Sequence, residues 1–163
     1  MRRADREITG RDELSAIVEK GDVCRIALNT GRAPYIIPLN YGYEWNGSLS
    51  LYFHCAAAGR KLDLLARDGN AGFEIDIGHV LVTDSVCCGW GMNYQSVSGW
   101  GELSVVSDSA ERVRAMDLIM RHYGFEGPTG YDPAILARTC LLRLDVAELT
   151  GKRKGPVPAG ERS

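Results

Sequence analysis

Two adjacent cations, Arg60 and Lys61, follow a run of small residues at 56–59 in the stretch SLSLYFHCAAAGRKLDLL. Small side chains let a backbone approach a ligand closely, and the free N–H groups at the start of a helix favour a bound phosphate. The pattern therefore predicts an anion site at the beginning of a helix over about 60–67. The same residues also fit a surface turn with two solvated cations, and this spacing alone does not separate the two interpretations.

His54 lies on the strand pattern that leads into this turn. Apolar residues at 49, 51 and 53 alternate with polar ones, so His54 is expected on the face opposite the apolar residues. An imidazole titrates near neutral pH, which makes His54 a candidate for binding an anion or donating a proton. The alternative is a histidine whose ring is satisfied by a neighbouring backbone group.

The cysteines argue against a metal centre and against a disulfide framework. Their number is odd and no C-x-x-C pair occurs. Adjacent cysteines in an extended chain also point to opposite faces, which does not suit a shared metal. We therefore expect buried or partly buried free thiols at Cys24, Cys55, Cys87, Cys88 and Cys140.

The N-terminal half of the chain contains one short helix followed by strands. Thr9 is expected to cap the helix, and strand patterns then cover 23–28 and 33–45. Pro38 within the second pattern indicates an edge, a bulge or an interrupted ladder. The Asn-Gly pair at 46–47 predicts a tight hairpin into the strand that carries His54.

The C-terminal half contains strands around a helical insert. Clean alternation predicts a strand over 72–77, and a longer strand over 94–106 is expected to bend at its glycines. The less regular stretch 79–93 is expected to be a strand end and a loop. Apolar residues at helical spacing predict a helix over 108–123, and 139–149 is predicted as the final strand.

This order of elements contains no βαβ series, which argues against a Rossmann sheet. It predicts a mainly β (β+α) fold, a small antiparallel barrel of about six strands with peripheral helices. The 163 residues show no linker and no repeat, so we expect a single domain over 1–163, with a basic, Pro- and Gly-containing tail from about 152.

The charge and hydrophobicity of the sequence argue against nucleic acid and membranes as partners. The formal net charge is -2, so there is no global basic field to attract nucleic acid. No apolar run approaches the ~20 residues of a membrane helix, and the charged N-terminus lacks the apolar core of a signal peptide. We expect a cytoplasmic protein that acts on a small molecule, with neither nucleic acid nor membrane as partner.

Several separated stretches, in chain order, carry a resemblance to a known family. They are MRRADREI at the start, IPLNYGYE (37–44), LYFHCAAAGRKLDLL (51–65), GFEID (72–76), NYQSVSGWGEL (93–103) and LTGK (149–152). Together they resemble the pyridoxamine 5′-phosphate oxidase-like, FMN-binding split β-barrel proteins, and within these the 5-nitroimidazole resistance (Nim) subgroup.

The resemblance implies a split antiparallel barrel and a homodimer with two FMN sites at the subunit interface. It implies that the flavin phosphate lies near the two cations and that the ring lies along the backbone of 38–41. A further group on the long strand is implied to reach the cofactor, often from the partner subunit. The implied cofactor-binding residues are Pro38, Leu39, Asn40, Tyr41, His54, Cys55, Arg60, Lys61, Tyr94, Ser96, Val97 and Lys152.

The expected function is an FMN-dependent oxidoreductase that reduces small planar substrates such as nitroimidazoles with electrons from NAD(P)H. Electron transfer belongs to the cofactor, so no side-chain triad is required, and His54 is the one possible catalytic residue. Alternatives are a flavin-binding or flavin-sensing protein without turnover, a pyridoxamine phosphate oxidase-like enzyme of unknown substrate, and a relative that uses haem or a deazaflavin. A pyridoxamine phosphate oxidase is disfavoured, because the C-terminus lacks a second basic cluster with histidine.

Overall fold

A computed structural model describes residues 3–156, which contain eight strands and four α-helices. The strands are β1 (Glu7–Ile8), β2 (Cys24–Leu28), β3 (Tyr35–Leu39), β4 (Tyr41–Asn46), β5 (Ser48–Ala56), β6 (Asn70–Val82), β7 (Gly91–Val105) and β8 (Thr139–Lys154). The helices are α1 (Arg11–Lys20), α2 (Arg60–Leu65), α3 (Ser109–His122) and α4 (Pro133–Arg138). None of these helices is long and apolar enough to cross a membrane.

One antiparallel sheet runs in the order β3-β2-β6-β7-β8-β5-β4, and β1 pairs with the far end of β8. The two edge strands, β3 and β4, are consecutive in the chain and are joined through Asn40 alone. The two edges of the sheet are therefore joined by the chain itself and not by a ladder of hydrogen bonds. This gap in the ladder is the split of a split barrel. The predicted fold class is confirmed.

The strand count is eight rather than about six for two reasons. The single strand predicted over 33–45 divides at Asn40, because β3 pairs with β2 whereas β4 pairs with β5. The two residues of β1 add another strand, which is too short for a sequence pattern to reveal. Neither change alters the architecture, but the division at Asn40 creates the free edge that matters for the site.

Helix ends follow local capping chemistry in two helices and depart from it in the first. The carboxylate of Asp108 accepts from the backbone N–H of Glu111 at the start of α3, and Asp132 caps α4 in the same way. The predicted cap at Thr9 is wrong. Helix α1 begins after Gly10, which makes no side-chain cap bond.

Strands β6 and β7 extend further than the sequence predicted. They form a long hairpin, so the irregular stretch 79–93 shrinks to a turn that contains a short 3-10 helix at Cys87–Gly89. The predicted bend in β7 is confirmed by a register shift between Trp100 and Gly101. A Cβ on Gly101 would lie 2.1 Å from the carbonyl oxygen of Asp145, so this close strand approach requires glycine.

The predicted tail begins later than about 152. Strand β8 continues to Lys154, because its last residues pair with β7 and with β1. Lys152 is therefore a strand residue rather than part of a solvated tail. The remainder of the predicted tail, residues 157–163, lies outside the described residues.

The outer side of the sheet has two different halves. Helix α3 packs on β4, β5 and the start of β8, where Tyr52 and Leu141 form a small cluster with α3; we call this half the covered face. The outward side chains of β3, β2, β6 and the middle of β7 form the open face. Directly opposed residues of a ladder share a face, which places Ile36, Ala27, Gly72 and Trp100 in one row of the open face.

Candidate functional site

Strand β3 gives the predicted ring segment a free backbone edge. β3 is a terminal strand of the sheet, with a ladder to β2 on one side and no ladder partner on the other among residues 3–156. Pro38 has no N–H to donate and is tolerated at such an edge. The side chains of Pro38 and Leu39 point to opposite sides, since Pro38 is exposed on the open face and Leu39 packs against the barrel core.

Asn40, at the link between β3 and β4, is held in one orientation. Its Nδ2 donates to the carbonyl oxygen of Asp22 at 3.2 Å and to the hydroxyl of Tyr123 at 3.0 Å. A carbonyl only accepts, so the amide cannot be reversed, and Oδ1 points away from both partners. Within the described chain this exposed Oδ1 has no hydrogen-bond donor. Asn40 therefore presents an acceptor at the end of the free edge.

Tyr123 completes this arrangement and was not recognised from the sequence as a site residue. Its hydroxyl donates to the carbonyl oxygen of Asp22 at 2.6 Å and also accepts from the backbone N–H of Tyr41 at 3.2 Å. One hydroxyl thus fastens the end of α3 to the junction of β3 and β4. No local signal marks this role, because Tyr123 follows an ordinary apolar helix stripe and lies 83 residues from Asn40.

The side chain of Tyr41 is an internal anchor. It is fully buried, and its hydroxyl donates to the carbonyl oxygen of Val18 at 2.7 Å and lies 3.0 Å from that of Gly21. Burial raises the pKa of Tyr41 far above its ordinary value. Of the predicted ring segment, Tyr41 can therefore offer a ligand only its backbone.

The two cations of the predicted anion site lie in the first turn of α2. Gly59 precedes them with φ of 124°, a backbone conformation that side chains rarely adopt. The guanidinium of Arg60 lies 4.6 Å from the ring centroid of Tyr35, and Arg60 is exposed while Lys61 is half-buried. In the part of the chain that the structure describes, neither forms an ion pair.

His54 and Cys55 lie near this turn but on opposite faces of β5. His54 is exposed opposite Leu141, whereas Cys55 faces inward opposite Cys140. The ring of His54 makes no hydrogen bond within residues 3–156, so the described chain does not supply the backbone partner of the alternative interpretation. Its neighbour Phe53 is the ladder partner of Tyr41, which puts His54 at about the level of Asn40.

The other predicted group lies at the far end of the sheet. Ser96 and Lys152 are direct ladder partners, and Lys152 Nζ lies 5.9 Å from the ring centroid of Tyr94. The side chain of Val97 is buried in the barrel, so it too can offer only its backbone. About 35 Å of strand, at roughly 3.3 Å per residue, separates Tyr94 from Val105 at the α2 end of β7.

One protomer therefore does not bring the two groups together. Helix α2 belongs to the Val105 end, because Leu62, Leu65 and Val105 line the same cavity. The cations and the β3 edge form one partial site, and the Tyr94, Ser96 and Lys152 group, on strands three and four positions away from β3 in the sheet, forms a second one.

The predicted burial of the five cysteines is right for three of them and wrong for two. Cys24 and Cys140 are buried and Cys55 is half-buried, as expected, but Cys87 and Cys88 are exposed. The prediction is wrong for these two, because they lie in the turn at the tip of the β6–β7 hairpin. Among residues 3–156, no three His, Cys, Asp or Glu side chains are grouped as a metal would need.

An ion-pair cluster on the open face was missed by the sequence interpretation. Arg25 Nη1 lies 3.0 Å from a Glu74 carboxylate oxygen and 2.6 Å from one of Asp76, and His79 Nε2 lies 2.8 Å from Asp76. Burial, and then the charge of Asp76, raise the pKa of Glu74, although Arg25 opposes them. The acidic positions in the alternating GFEID stretch were the available signal.

Comparison with known proteins places the fold. A candidate 5-nitroimidazole antibiotic resistance protein of Bacteroides thetaiotaomicron is 28% identical, with a TM-score of 0.78 over 90% of this chain and 86% of that chain. An FAD and haem binding protein of Mycobacterium smegmatis is 20% identical, with a TM-score of 0.80 over 94% and 75%. A flavocytochrome of Azotobacter vinelandii is 18% identical, with a TM-score of 0.78 over 99% and 75%. The last two show the fold alone.

No curated protein matches this sequence closely enough to count as a relative. The sequence profile of the pyridoxamine 5′-phosphate oxidase family, in contrast, matches residues 10–153. This match begins just before α1 and ends within β8, so it includes both partial sites and confirms the resemblance in the motifs. The chain therefore belongs to the pyridoxamine 5′-phosphate oxidase family.

Proposed function

We propose that the protein binds FMN and acts as an oxidoreductase on small planar substrates such as nitroimidazoles, with NAD(P)H as electron donor and a homodimer as the working unit. The observation that carries this proposal is a pair of cations at one end of the β3 edge, neither of which has an ion-pair partner within residues 3–156, with a fixed acceptor at the other end. Family membership supports the choice of a flavin as the ligand.

The cations fit the tail of such a ligand. A phosphate monoester is close to a dianion at neutral pH, and Arg60 offers a planar fork of donors while Lys61 offers a point charge. The contact between Arg60 and the ring of Tyr35 at 4.6 Å restricts the guanidinium before any ligand arrives. Less side-chain freedom is then lost on binding.

The β3 edge and Asn40 fit the head of the ligand. Tyr35 and Asn40 lie about 16 Å apart along an extended chain, so the two ends suit an elongated molecule with an anionic tail and a flat polar ring. Oδ1 of Asn40 matches a ring N–H, such as the imide of an isoalloxazine. The backbone groups of β3 that have no ladder partner in the described part of the chain can donate to or accept from further ring atoms.

A second copy of the chain accounts for the remaining predicted residues. Tyr94 lies far from the cations along β7, and β7 and β8, which carry Ser96 and Lys152, are three and four strands away from β3 in the sheet. A copy docked on the open face would bring its own end of β7 toward the cations of the first. The exposed apolar side chains of Ile36 and Trp100 suit that contact.

Bound FMN would supply the electron-transfer chemistry itself. The residues of this chain would bind the phosphate, orient the ring along the β3 edge and limit the access of water. His54 is exposed, makes no hydrogen bond in residues 3–156 and lies at the level of Asn40. We assign it the role of holding or delivering a proton at its imidazole.

The first experiment identifies the cofactor. The purified protein is denatured and the released chromophore is identified by its absorbance and mass. Released FMN supports the proposal, whereas FAD, haem, a deazaflavin or no chromophore that can be reconstituted contradicts it. Oxidation of NAD(P)H with a nitroimidazole acceptor then tests turnover; bound flavin that no acceptor reoxidises would indicate a binding protein instead.

The second experiment tests the cations. Arg60→Ala with Lys61→Ala removes charge-assisted bonds worth about 1.5–3 kcal/mol each, so the Kd for FMN is expected to rise about 10²- to 10⁴-fold. Arg121→Ala removes an exposed cation from α3 and serves as the control with unchanged affinity. Equal FMN affinity in the double variant and the control would show that the phosphate lies elsewhere.

A further inference from the structure

Cys55 and Cys140 stand directly opposite each other on neighbouring strands. They are ladder partners between β5 and β8, and opposed residues of an antiparallel pair point to the same face. The Cα atoms of such partners lie about 4.5–5.5 Å apart, within the roughly 4.4–6.8 Å that a disulfide spans. No local pattern predicts this pair, because 85 positions separate the two residues along the chain.

The surroundings of the pair hold it in place and give Cys140 a route to solvent. Burial, and then the neighbouring Cys55, raise the pKa of Cys140 to about 11. Cys140 also lines a surface cavity of about 650 Å³ together with Arg112 and Thr139. Arg112 donates to the backbone carbonyls of Leu136 and Thr139 at 2.6 and 2.8 Å, which fixes the chain just before Cys140.

We propose that Cys55 and Cys140 form a redox-sensitive pair that closes to a reversible cross-strand disulfide. The oxidant is a small-molecule disulfide such as oxidised glutathione. Cys55 is the more exposed of the two thiols, so its thiolate attacks the oxidant first. An S–S bond forms to Cys55, the S–S bond of the oxidant breaks, and one thiolate leaves.

The second step closes the bridge. The sulfur of Cys140 attacks Cys55 and releases the second small thiol, and the proton of Cys140 goes to a departing thiolate. Two protein thiols are thereby oxidised, and one exogenous disulfide is reduced to two thiols. The raised pKa of Cys140 makes it the poorer first nucleophile, which leaves the first attack to Cys55.

The bridge would tie the end of β5 to β8, immediately before the turn that carries Arg60. This proposal does not depend on which ligand binds there, so it stands or fails separately from the proposed function. The exposed Cys87 and Cys88 are the competing thiols, and the structure places them at the tip of the β6–β7 hairpin rather than beside this pair.

Trypsin makes the test direct, because Cys55 and Cys140 fall in two different peptides that contain no other cysteine. Cleavage after lysine and arginine gives 21–25 with Cys24, 33–60 with Cys55, 68–112 with Cys87 and Cys88, and 139–143 with Cys140. The full-length native protein is incubated with oxidised glutathione, quenched with an alkylating agent and digested without reductant. We expect peptide 33–60 linked to 139–143, and we expect dithiothreitol to separate them.

A variant with Cys87→Ser and Cys88→Ser serves as the matched control for the competing thiols. In this variant the three remaining thiols should fall to one on oxidation, and that one should be Cys24. Circular dichroism before and after oxidation confirms that the folded protein was tested. A stable glutathione adduct on Cys55 without linkage to Cys140, or full alkylation of both residues, would overturn the proposal; the wild-type digest decides the matter even if the variant folds poorly.

Discussion

The covered face and the open face are two halves of the outer surface of one sheet, yet they differ sharply. On the covered face Tyr52 and Leu141 are buried beneath α3, whereas on the open face Ile36 is 60% exposed and Trp100 is 49% exposed. Both faces carry apolar side chains on outward strand positions. The difference therefore comes from which face the helix covers, not from the hydrophobicity of the strands.

The polar groups of the two faces differ in the same way as the apolar ones. On the covered face the hydroxyl of Tyr52 donates to Glu44 at 2.6 Å, and Arg114 pairs with the same carboxylate. This network joins the sheet to α3 and completes the packing within one chain. On the open face the pairs of Arg25 join only neighbouring strands, and the side chain of Arg25 stays exposed, unlike Tyr52 beneath α3. The open face is where we expect a second copy.

The largest expected effect is on the oligomeric state, which a substitution on the open face should change and a substitution away from it should not. Ile36→Asp puts a carboxylate on the open face, where burial of an unpaired charge on docking is expected to raise the homodimer Kd about 10²- to 10³-fold or more. Ile135→Asp is the matched control, since Ile135 on α4 is 59% exposed away from that face. Analytical ultracentrifugation should report a monomer for the first variant and a dimer for the second. The same oligomeric state in both would remove the open face as the interface.

A smaller effect is expected in stability, with two glycines as the matched pair. A Cβ on Gly42 of the covered face would lie 2.4 Å from backbone atoms of Leu118 and Ile119, whereas one on Gly72 of the open face would meet Ala27 Cβ at 3.7 Å. Gly42→Ala is therefore expected to lower the free energy of unfolding by about 1–3 kcal/mol, and Gly72→Ala by less than about 0.5 kcal/mol. Urea denaturation measures both.

Both alanine variants are made in the Ile36→Asp background, so that dimerisation does not contribute to the measured free energies of unfolding. Equal losses in the two alanine variants would mean that α3 does not press on the sheet as described.

The smallest expected effect is a pH dependence of the free energy of unfolding, caused by Glu74 in the ion-pair cluster of the open face. The pKa of Glu74 is raised above its ordinary 4.5, first by burial, so folding favours the protonated carboxyl. The associated stability is fully present below pH 4.5 and is lost as pH rises through the folded pKa. The side chain of Gln in Glu74→Gln cannot ionise, so this variant should lose less stability than the wild type between pH 4 and pH 7. We expect the difference to be less than about 1 kcal/mol, because solvent screens this half-exposed group.

Urea denaturation at both pH values tests this sign. A wild-type protein that loses no more stability than Glu74→Gln between pH 4 and pH 7 would contradict it. A larger difference at concentrations that favour the dimer would support burial of Glu74 beneath a second copy.

Much of the architecture followed from local patterns. Alternation marked most of the strands, apolar residues at helical spacing marked α3, and Pro38 indicated an edge, a bulge or an interrupted ladder, of which the structure shows the edge. Each of these signals depends on chemistry within a few residues. The predicted cap at Thr9 was wrong by one position, since the residue before the first helical residue, Arg11, is Gly10.

The candidate site was only partly visible in the sequence. The Gly-Arg-Lys turn was recognisable because its residue types are adjacent. The role of Tyr123 was not, because its partner Asn40 is distant in the chain and the hydrogen bond exists only when α3 packs against the junction of β3 and β4. The exposure of Cys87 and Cys88 likewise depended on how far the β6–β7 ladder extends.

By itself, the sequence determined the succession of strands and helices of a small antiparallel barrel, a cationic turn after β5 and membership of the pyridoxamine 5′-phosphate oxidase family, because these depend on residue spacing and motif. Only the tertiary structure decided which strand face α3 covers, which way the amide of Asn40 points and which two thiols meet across β5 and β8. These depend on the register of strands far apart in the chain. Local residue preferences do not encode that register, and the packing of the whole sheet does.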